Sequence, residues 1–167
     1  HSSVSGGLGA ASESDEGRRM MTKAHAILLA GGAGERLDVN LPKQFMKIAG
    51  RTVIEHTIMV FESHPLIEDI ILVVNPYYRT FLEDLLVRNS FRKVRKMLNG
   101  GATRCESSRI GIMSIAPPRE RVLIHDAVRP LLSHRIITDC IKALDRYSAV
   151  DVAIPAADTI IQVDPNM

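Results

Sequence analysis

The sequence has few aromatic residues and no long hydrophobic run. It contains no tryptophan, three tyrosines and four phenylalanines among 167 residues. So few aromatic side chains provide little surface for stacking the bases of single-stranded nucleic acid. No apolar run approaches the roughly 20 residues that a membrane-spanning helix requires. The composition therefore argues against a protein that binds single-stranded nucleic acid and against one that spans a membrane.

Cysteine is equally scarce, since only Cys105 and Cys140 are present. Two cysteines make neither a disulfide framework nor the ligand pattern of a zinc site. Free thiols are the ordinary state of cysteine in the reducing cytoplasm. We therefore expect two reduced cysteines in a cytoplasmic protein.

Excess charge of one sign is also lacking, because 21 basic residues are offset by 19 acidic ones, for a formal net charge of +2. This near balance argues against bulk electrostatic binding to nucleic acid or to a membrane surface. The basic stretch 88–96 fits a solvated helix end followed by the start of a strand. With 46% hydrophobic residues, the chain is long enough for one globular domain that needs no stabilising disulfide or metal.

The first 23 residues are rich in serine and glycine and show no apolar periodicity. We expect this stretch to be a disordered tag or linker outside the folded domain. No apolar segment follows Arg18 and Arg19 in the way that a secretory signal requires. The sequence stops soon after a strand-like run, so we expect the domain that begins at residue 24 to be incomplete at its C-terminal end.

From residue 24 onward, short apolar runs alternate with segments of helical periodicity. The apolar runs predict strands over 24–30, 69–75, 94–99, 121–127 and 149–156. The amphipathic segments predict helices over 51–64, 80–89, 103–116 and 133–147. This alternation predicts an α/β fold: a Rossmann-like, mostly parallel sheet with helices on both faces. Ligands bind such sheets beyond the carboxyl ends of the strands, which is where the polar motifs of this sequence fall.

A glycine-rich loop follows the first predicted strand and contains Gly31, Gly32 and Gly34. Glycine lets backbone N–H groups approach an anion closely, so such a loop forms either a phosphate-binding nest or simply a tight turn. The dinucleotide fingerprint would require a glycine where Leu37 stands, and the G-K-[ST] triplet of a P-loop is absent. The loop therefore matches neither of these two phosphate-binding motifs.

Two cations frame this loop, with Arg36 at its end and Lys43 seven residues later, behind Pro42. One interpretation is that both are solvated surface charges. The other is that they bind a polyphosphate whose negative charge increases during a reaction.

The motifs LLAGGAGER (28–36) and PKQF (42–45) together resemble the signature of the sugar-nucleotide pyrophosphorylases. Three further segments resemble the cytidylyltransferase branch, which includes the methylerythritol 4-phosphate and ribitol 5-phosphate cytidylyltransferases. They are GRTVIEHT (50–57), GGATRCES (100–107) and IHDAVRP (124–130). The resemblance implies a fold of the nucleotide-diphospho-sugar transferase type, with residues 24–167 as its catalytic domain.

The resemblance also implies a reaction in which CTP and a polyol phosphate give a CDP-polyol and pyrophosphate. By similarity, Arg36 and Lys43 contact the triphosphate and stabilise the transition state. The nucleotide is cradled by the backbone of the first loop, at Ala30, Gly31, Gly32 and Gly34. The cytosine is recognised by the main chain of Gly101 and Ala102 and by the side chain of Ser107. Many relatives carry Asp where this chain has Ala102, but a main-chain contact is compatible with either residue.

The resemblance further implies that Asp126 holds Mg²⁺ or another divalent cation, for which a carboxylate is a suitable ligand. Arg129 contacts the phosphate of the acceptor. Thr159 binds the acceptor from an arm that reaches the other subunit of a homodimer.

The chemistry of the acceptor indicates that no general base is needed. The nucleophile is a phosphate monoester whose second pKa is about 6, so it is already ionised at neutral pH. The reaction instead requires that the repulsion between the two anions be reduced and that the reactants be aligned. Arg and Lys side chains and Mg²⁺ can do both. We therefore expect His125 to be a packed or supporting residue, and we expect Arg104 and Glu106 to form an ion pair.

The segment 131–160 favours ribitol 5-phosphate as the acceptor, because it resembles the ribitol branch. The alternative acceptor is 2-C-methyl-D-erythritol 4-phosphate, of the isoprenoid pathway. Two other functions remain open: a hexose 1-phosphate nucleotidylyltransferase that uses another nucleotide, and an inactive nucleotide-binding module. If residues 1–167 are the whole molecule, we expect CTP binding with little or no turnover.

Overall fold

A computed structural model describes residues 23–31, 42–115 and 120–153 of the chain. Its centre is a sheet of four strands: β1 (Ala24–Ala30), β4 (Ile67–Val74), β5 (Val94–Asn99) and β6 (Arg121–Asp126). They lie in the order β5-β4-β1-β6. All three pairings are parallel, so all four strands end at the same edge of the sheet. The predicted strands over 24–30, 69–75, 94–99 and 121–127 are thereby confirmed.

Four helices connect and cover these strands: α1 (Val53–Ser63), α2 (Arg79–Asn89), α3 (Arg104–Met113) and α4 (His134–Ala143). Each lies inside or within one residue of a predicted helical segment. A small antiparallel ribbon of β2 (Lys47–Ile48) and β3 (Arg51–Thr52) precedes α1. Among the described residues, no helix is both long and apolar enough to cross a membrane.

The strand predicted over 149–156 is wrong over residues 149–153, which form no strand. The remaining three residues lie outside the described part of the chain. Val150 and Val152 are exposed rather than buried. An apolar run becomes a strand only where a neighbouring strand supplies hydrogen-bond partners, and the described residues supply none here.

The helices cover both faces of the sheet, as the alternating pattern predicted. On one face, side chains of α1, α2 and α4 form a single core with the strand residues Ala26, Leu28, Ile70, Leu72 and Val74. On the other face, Ile27, Leu29, Ile71 and Val73 form a second, smaller core. Burial on both faces is the reason why residues 26–30 of β1 and 70–74 of β4 are continuously apolar in sequence.

Helix α3 lies very close to this second face because of Gly111. A Cβ atom at Gly111 would lie 2.7 Å from Cγ2 of Ile27 and 3.3 Å from Cγ2 of Val73. Any side chain at this position would therefore push the helix away from the sheet. The close packing sets the position of the first turn of α3 over the carboxyl end of β1.

A buried histidine joins α1 to α4 on the opposite face. The His64 ring is 1% exposed, and its Nδ1 accepts a hydrogen bond from the backbone N–H of Leu66 at 3.2 Å. Its Nε2 therefore carries the proton and faces Oγ1 of Thr138 at 3.1 Å and the carbonyl of His134 at 3.2 Å. Burial lowers the pKa of His64, and the charges of His134 and Lys93 act in the same direction, against the bond to the His134 carbonyl.

We expect the protein to lose stability as the pH falls below about 6.5, where an unfolded histidine takes up a proton. Because the native pKa of His64 lies below the unfolded value, the unfolded chain binds more protons in this range and the free energy of unfolding decreases. The substitution His64→Gln should flatten this dependence in urea unfolding measured at several pH values. His56→Gln, within α1, is the control and should keep the wild-type slope. Equal slopes for wild type and His64→Gln would contradict the prediction.

Candidate active site

Three polar segments meet at the carboxyl edge of the sheet. Gly31 follows β1, the loop 100–103 follows β5, and the segment 126–129 begins at the end of β6. The predicted site residues that the structure describes on or directly beside these segments are Ala30, Gly31, Gly101, Ala102, Ser107, Asp126 and Arg129. Gly32, Gly34, Arg36 and Thr159 lie outside the described residues.

The loop after β5 is held by hydrogen bonds to the first turn of α3. Ser107, which is buried, accepts a hydrogen bond from the N–H of Gly101 at 3.1 Å. Glu106 accepts one from the N–H of Ala102 at 2.7 Å. A Cβ atom at Gly101 would lie 2.5 Å from Cβ of Glu106, so this position requires glycine. A Cβ atom at Gly31 would lie 3.7 Å from Oγ of Ser107, so the two glycine segments meet at this serine.

Glu106 does not form the expected ion pair with Arg104. It forms a capping box with Thr103, in which each side chain accepts a hydrogen bond from the backbone N–H of the other residue. The spacing T-x-x-E is the signature of such a box at the start of a helix. Because the helix was predicted to begin at residue 103, the sequence already contained this signal, and the expected pairing with Arg104 overlooked it.

Arg104 instead pairs with Asp126, across the carboxyl edge of the sheet. Its Nε lies 3.1 Å from Oδ1 of Asp126. On the other side, Nε of Arg129 lies 3.2 Å from Oδ2 of the same carboxylate. The two arginine side chains are 66% and 74% exposed, whereas that of Asp126 is 25% exposed. One carboxylate thus carries two cations, and the cluster has a net positive charge.

His125 supports the segment that carries this cluster. Its Nε2 lies 2.9 Å from the carbonyl oxygen of Arg129, and its ring packs against Phe61 with centroids 5.5 Å apart. Both contacts agree with the packed role expected for this histidine.

The motif 42–45 is anchored to the sheet by the two residues that follow its lysine. Gln44 is buried and donates a hydrogen bond to the carbonyl of Ala30 at 3.3 Å. Phe45 is buried against the rings of Tyr78 and Phe81, at centroid distances of 5.0 and 4.7 Å. Lys43 is exposed at the start of a short 3-10 turn, Lys43–Phe45, which follows Pro42. Sequence reasoning identified the lysine but missed Gln44 and Phe45, which hold it beside the end of β1.

An open cleft of about 830 Å³ runs along β6 from the arginine cluster. Arg104, Asp126 and Arg129 line it together with apolar side chains, among them Phe61, Ile124 and Ile137. Within the described ranges, no group of three or more His, Cys, Asp or Glu side chains could hold a metal ion by itself. This end of the cleft is suited to a phosphorylated ligand, because exposed guanidinium groups bind phosphate.

Comparison with known proteins gives one family and a consistent set of relatives. The profile of the family described as "IspD: 2-C-methyl-D-erythritol 4-phosphate cytidylyltransferase" matches residues 24–167. The bifunctional ribulose 5-phosphate reductase/CDP-ribitol pyrophosphorylase Bcs1 of Haemophilus influenzae is 46% identical over 140 residues, which cover 83% of this chain and 30% of the relative. The 2-C-methyl-D-erythritol 4-phosphate cytidylyltransferase of Thermobifida fusca is 34% identical over 151 residues, which cover 89% of this chain and 61% of the relative.

Solved structures agree with the sequence relatives. The 4-diphosphocytidyl-2C-methyl-D-erythritol synthase of Anaerococcus prevotii superimposes with a TM-score of 0.75 at 28% identity, covering 88% of this chain and 62% of that one. The matched region thus spans between about a third and two thirds of the length of these relatives.

We expect Ser107→Ala to lower the free energy of unfolding by about 1 kcal/mol, because the N–H of Gly101 loses its partner. Ser108→Ala is the matched control, since among the described residues that hydroxyl donates to the carbonyl of Arg104, within its own helix turn. It should change stability by less than about 0.5 kcal/mol. Urea unfolding measures both variants, and equal losses would show that the contact between Ser107 and the loop contributes nothing specific.

Proposed function

Since this chain belongs to the 2-C-methyl-D-erythritol 4-phosphate cytidylyltransferase (IspD) family, we propose that it transfers a cytidylyl group from CTP to a polyol phosphate. A phosphate oxygen of the acceptor forms a bond to the α-phosphorus of CTP, and the bond from that phosphorus to the leaving pyrophosphate breaks. The family predicted from the sequence motifs is confirmed. The observation that best supports the activity is the convergence of both glycine segments, Lys43 and the cluster at Asp126 on one edge of the sheet.

In this proposal the cations of the site perform most of the catalysis. Acceptor and nucleotide are both anions, so bringing them together requires neutralisation and in-line alignment. Lys43 and Arg36 bind the triphosphate and stabilise the charge that develops on the leaving pyrophosphate. The acceptor phosphate is ionised at neutral pH, so no residue needs to remove a proton from it.

Asp126 is suited to hold a divalent cation together with the nucleotide. Mg²⁺ typically takes one or two carboxylates, and substrate phosphates and water complete its shell. Asp126 is a single carboxylate at a strand end, and the described residues contain no cluster of three or more metal-binding side chains. This arrangement agrees with the one or two carboxylate ligands of a typical Mg²⁺ site. The bound cation would neutralise phosphate charge, and Asp126 would fix its position relative to the acceptor.

For the acceptor we propose ribitol 5-phosphate, which gives CDP-ribitol, a precursor of surface glycans. The relative whose name includes CDP-ribitol pyrophosphorylase is 46% identical to this chain, whereas the methylerythritol enzyme of Thermobifida fusca is 34% identical. Arg129 and Thr159 bind the acceptor in this proposal. A homodimer and a cytoplasmic location belong to the same proposal. The methylerythritol phosphate is the second candidate acceptor, because the family and several relatives carry its name.

To identify the acceptor, the full-length gene product is incubated with CTP and Mg²⁺, and the release of pyrophosphate is measured. Ribitol 5-phosphate and 2-C-methyl-D-erythritol 4-phosphate are assayed side by side, with UTP and GTP as alternative nucleotides. We expect release with CTP and ribitol 5-phosphate. Release only with the methylerythritol phosphate would assign the second acceptor. No release with either acceptor, despite CTP binding, would leave the family assignment in place and indicate that the acceptor is another polyol phosphate.

We expect Lys43→Ala to lower kcat/KM by about 100-fold or more, because one preorganised charge contributes about 3 kcal/mol to the transition state. The fold should be unaffected, since Lys43 is exposed while Gln44 and Phe45 anchor the segment. Lys47→Ala removes another exposed lysine four residues along and is the matched control. Near-wild-type kinetics for Lys43→Ala would contradict the proposed role of this lysine.

A further inference from the structure

Asp126 is the proposed cation ligand, yet both of its oxygens already bind arginine side chains. Nε of Arg104 lies 3.1 Å from Oδ1, and Nε of Arg129 lies 3.2 Å from Oδ2. Further lone pairs remain on each oxygen, so a metal ion would have geometric room. Electrostatics oppose it, because two guanidinium groups within hydrogen-bond distance of the carboxylate repel a divalent cation.

The two arginines are held in different ways. Arg129 lies three residues after Asp126, and its backbone N–H donates to the carbonyl of Asp126 at 3.1 Å. It therefore belongs to the same short turn as the carboxylate. Arg104 comes from a segment 22 residues away in sequence and is the first residue of α3. Among the described residues, Arg104 is the one whose side chain connects Asp126 to the helix that follows the loop after β5.

The backbone of Arg104 is fixed, whereas its side chain is free to change partner. The capping box at Thr103 and the close packing of Gly111 hold α3 in place. The side chain of Arg104 is 66% exposed, so it can turn without any change in the helix. One turn along the same helix, Ser107 lies against Gly31 and Gly101. The segment that begins at Gly31 is the one expected to cradle the nucleotide, and a Cβ atom at Gly31 would lie 3.7 Å from Oγ of Ser107, one helical turn from Arg104.

We propose that Arg104 is a positioning residue that pairs with Asp126 in the free protein and moves to the nucleotide phosphates when CTP binds. This inference rests on the proposed function. In the free protein the cluster of two cations and one anion disfavours a divalent cation bound alone. The negative charges of the triphosphate draw Arg104 away and leave Asp126 to the cation. Nucleotide and cation thus bind with positive coupling, and the coupling is reciprocal.

The test measures binding of Mn²⁺ by electron paramagnetic resonance, with and without CTP, to the intact protein. For Arg104→Gln we expect Mn²⁺ alone to bind about two- to fivefold more tightly, which is the range of an exposed ion pair. The increase in Mn²⁺ affinity that CTP causes should be smaller in this variant than in the wild type, by a similar factor or more. A merely structural role for Arg104 would weaken Mn²⁺ binding or leave it unchanged. Arg104→Lys keeps the positive charge and should retain most of the wild-type coupling.

Two further variants separate the possible failures. Arg109→Gln removes another exposed arginine of α3 and should match the wild type. Asp126→Asn should abolish the CTP-dependent Mn²⁺ site. If Asp126→Asn binds Mn²⁺ and CTP like the wild type, the cation assignment within the proposed function is wrong. If Asp126→Asn loses the site while Arg104→Gln matches Arg109→Gln, the inference about Arg104 alone is overturned.

Discussion

The close contact between helix α3 and the sheet is the constraint on which the rest of the site depends. Because residue 111 is glycine, the helix lies against Ile27 and Val73. That distance sets the height of its first turn above the carboxyl end of β1. Ser107 then reaches both glycine segments, and Arg104 reaches Asp126. A helix held farther from the sheet by a side chain would lose these contacts together, because one rigid element carries all of them.

Most of the fold could be predicted from the sequence, because two-sided burial leaves a strong signal. β1 and β4 are apolar on both faces, and the helices carry their apolar residues at helical spacing. Residues 149–153 show where this reasoning fails. Alternation and β-branching describe a segment that is able to form a strand, but strand formation also needs a partner along its edge. Whether a neighbouring strand is present depends on residues far away in sequence. Among the described residues, β6 pairs only with β1.

The location of the site was easier to predict from the sequence than the partners of its side chains. The glycine segments follow predicted strands, and the carboxyl ends of parallel strands lie at one edge of the sheet, so the position of the site could be predicted. The side-chain partners were less predictable. Glu106 was expected to pair with Arg104, although a local rule, the capping box, accounts for it. The pairing of Arg104 with Asp126 follows no local rule, since it joins opposite ends of the strand order through α3. The anchor of Gln44 on Ala30 is likewise a contact between segments that only the fold brings together.

The site separates residues that hold geometry from residues that carry charge. Gln44, Phe45 and Ser107 are buried and bind to backbone or pack against rings. Lys43, Arg104 and Arg129 are exposed and sit directly beside those anchors. An exposed cation exchanges one anionic partner for another at small cost, because water screens both states. A buried anchor does not move, so each exchange happens at a defined place. The proposed reaction brings two phosphorylated anions together and needs this combination, because charge moves between phosphate groups during turnover while the residues that align the reactants keep their positions.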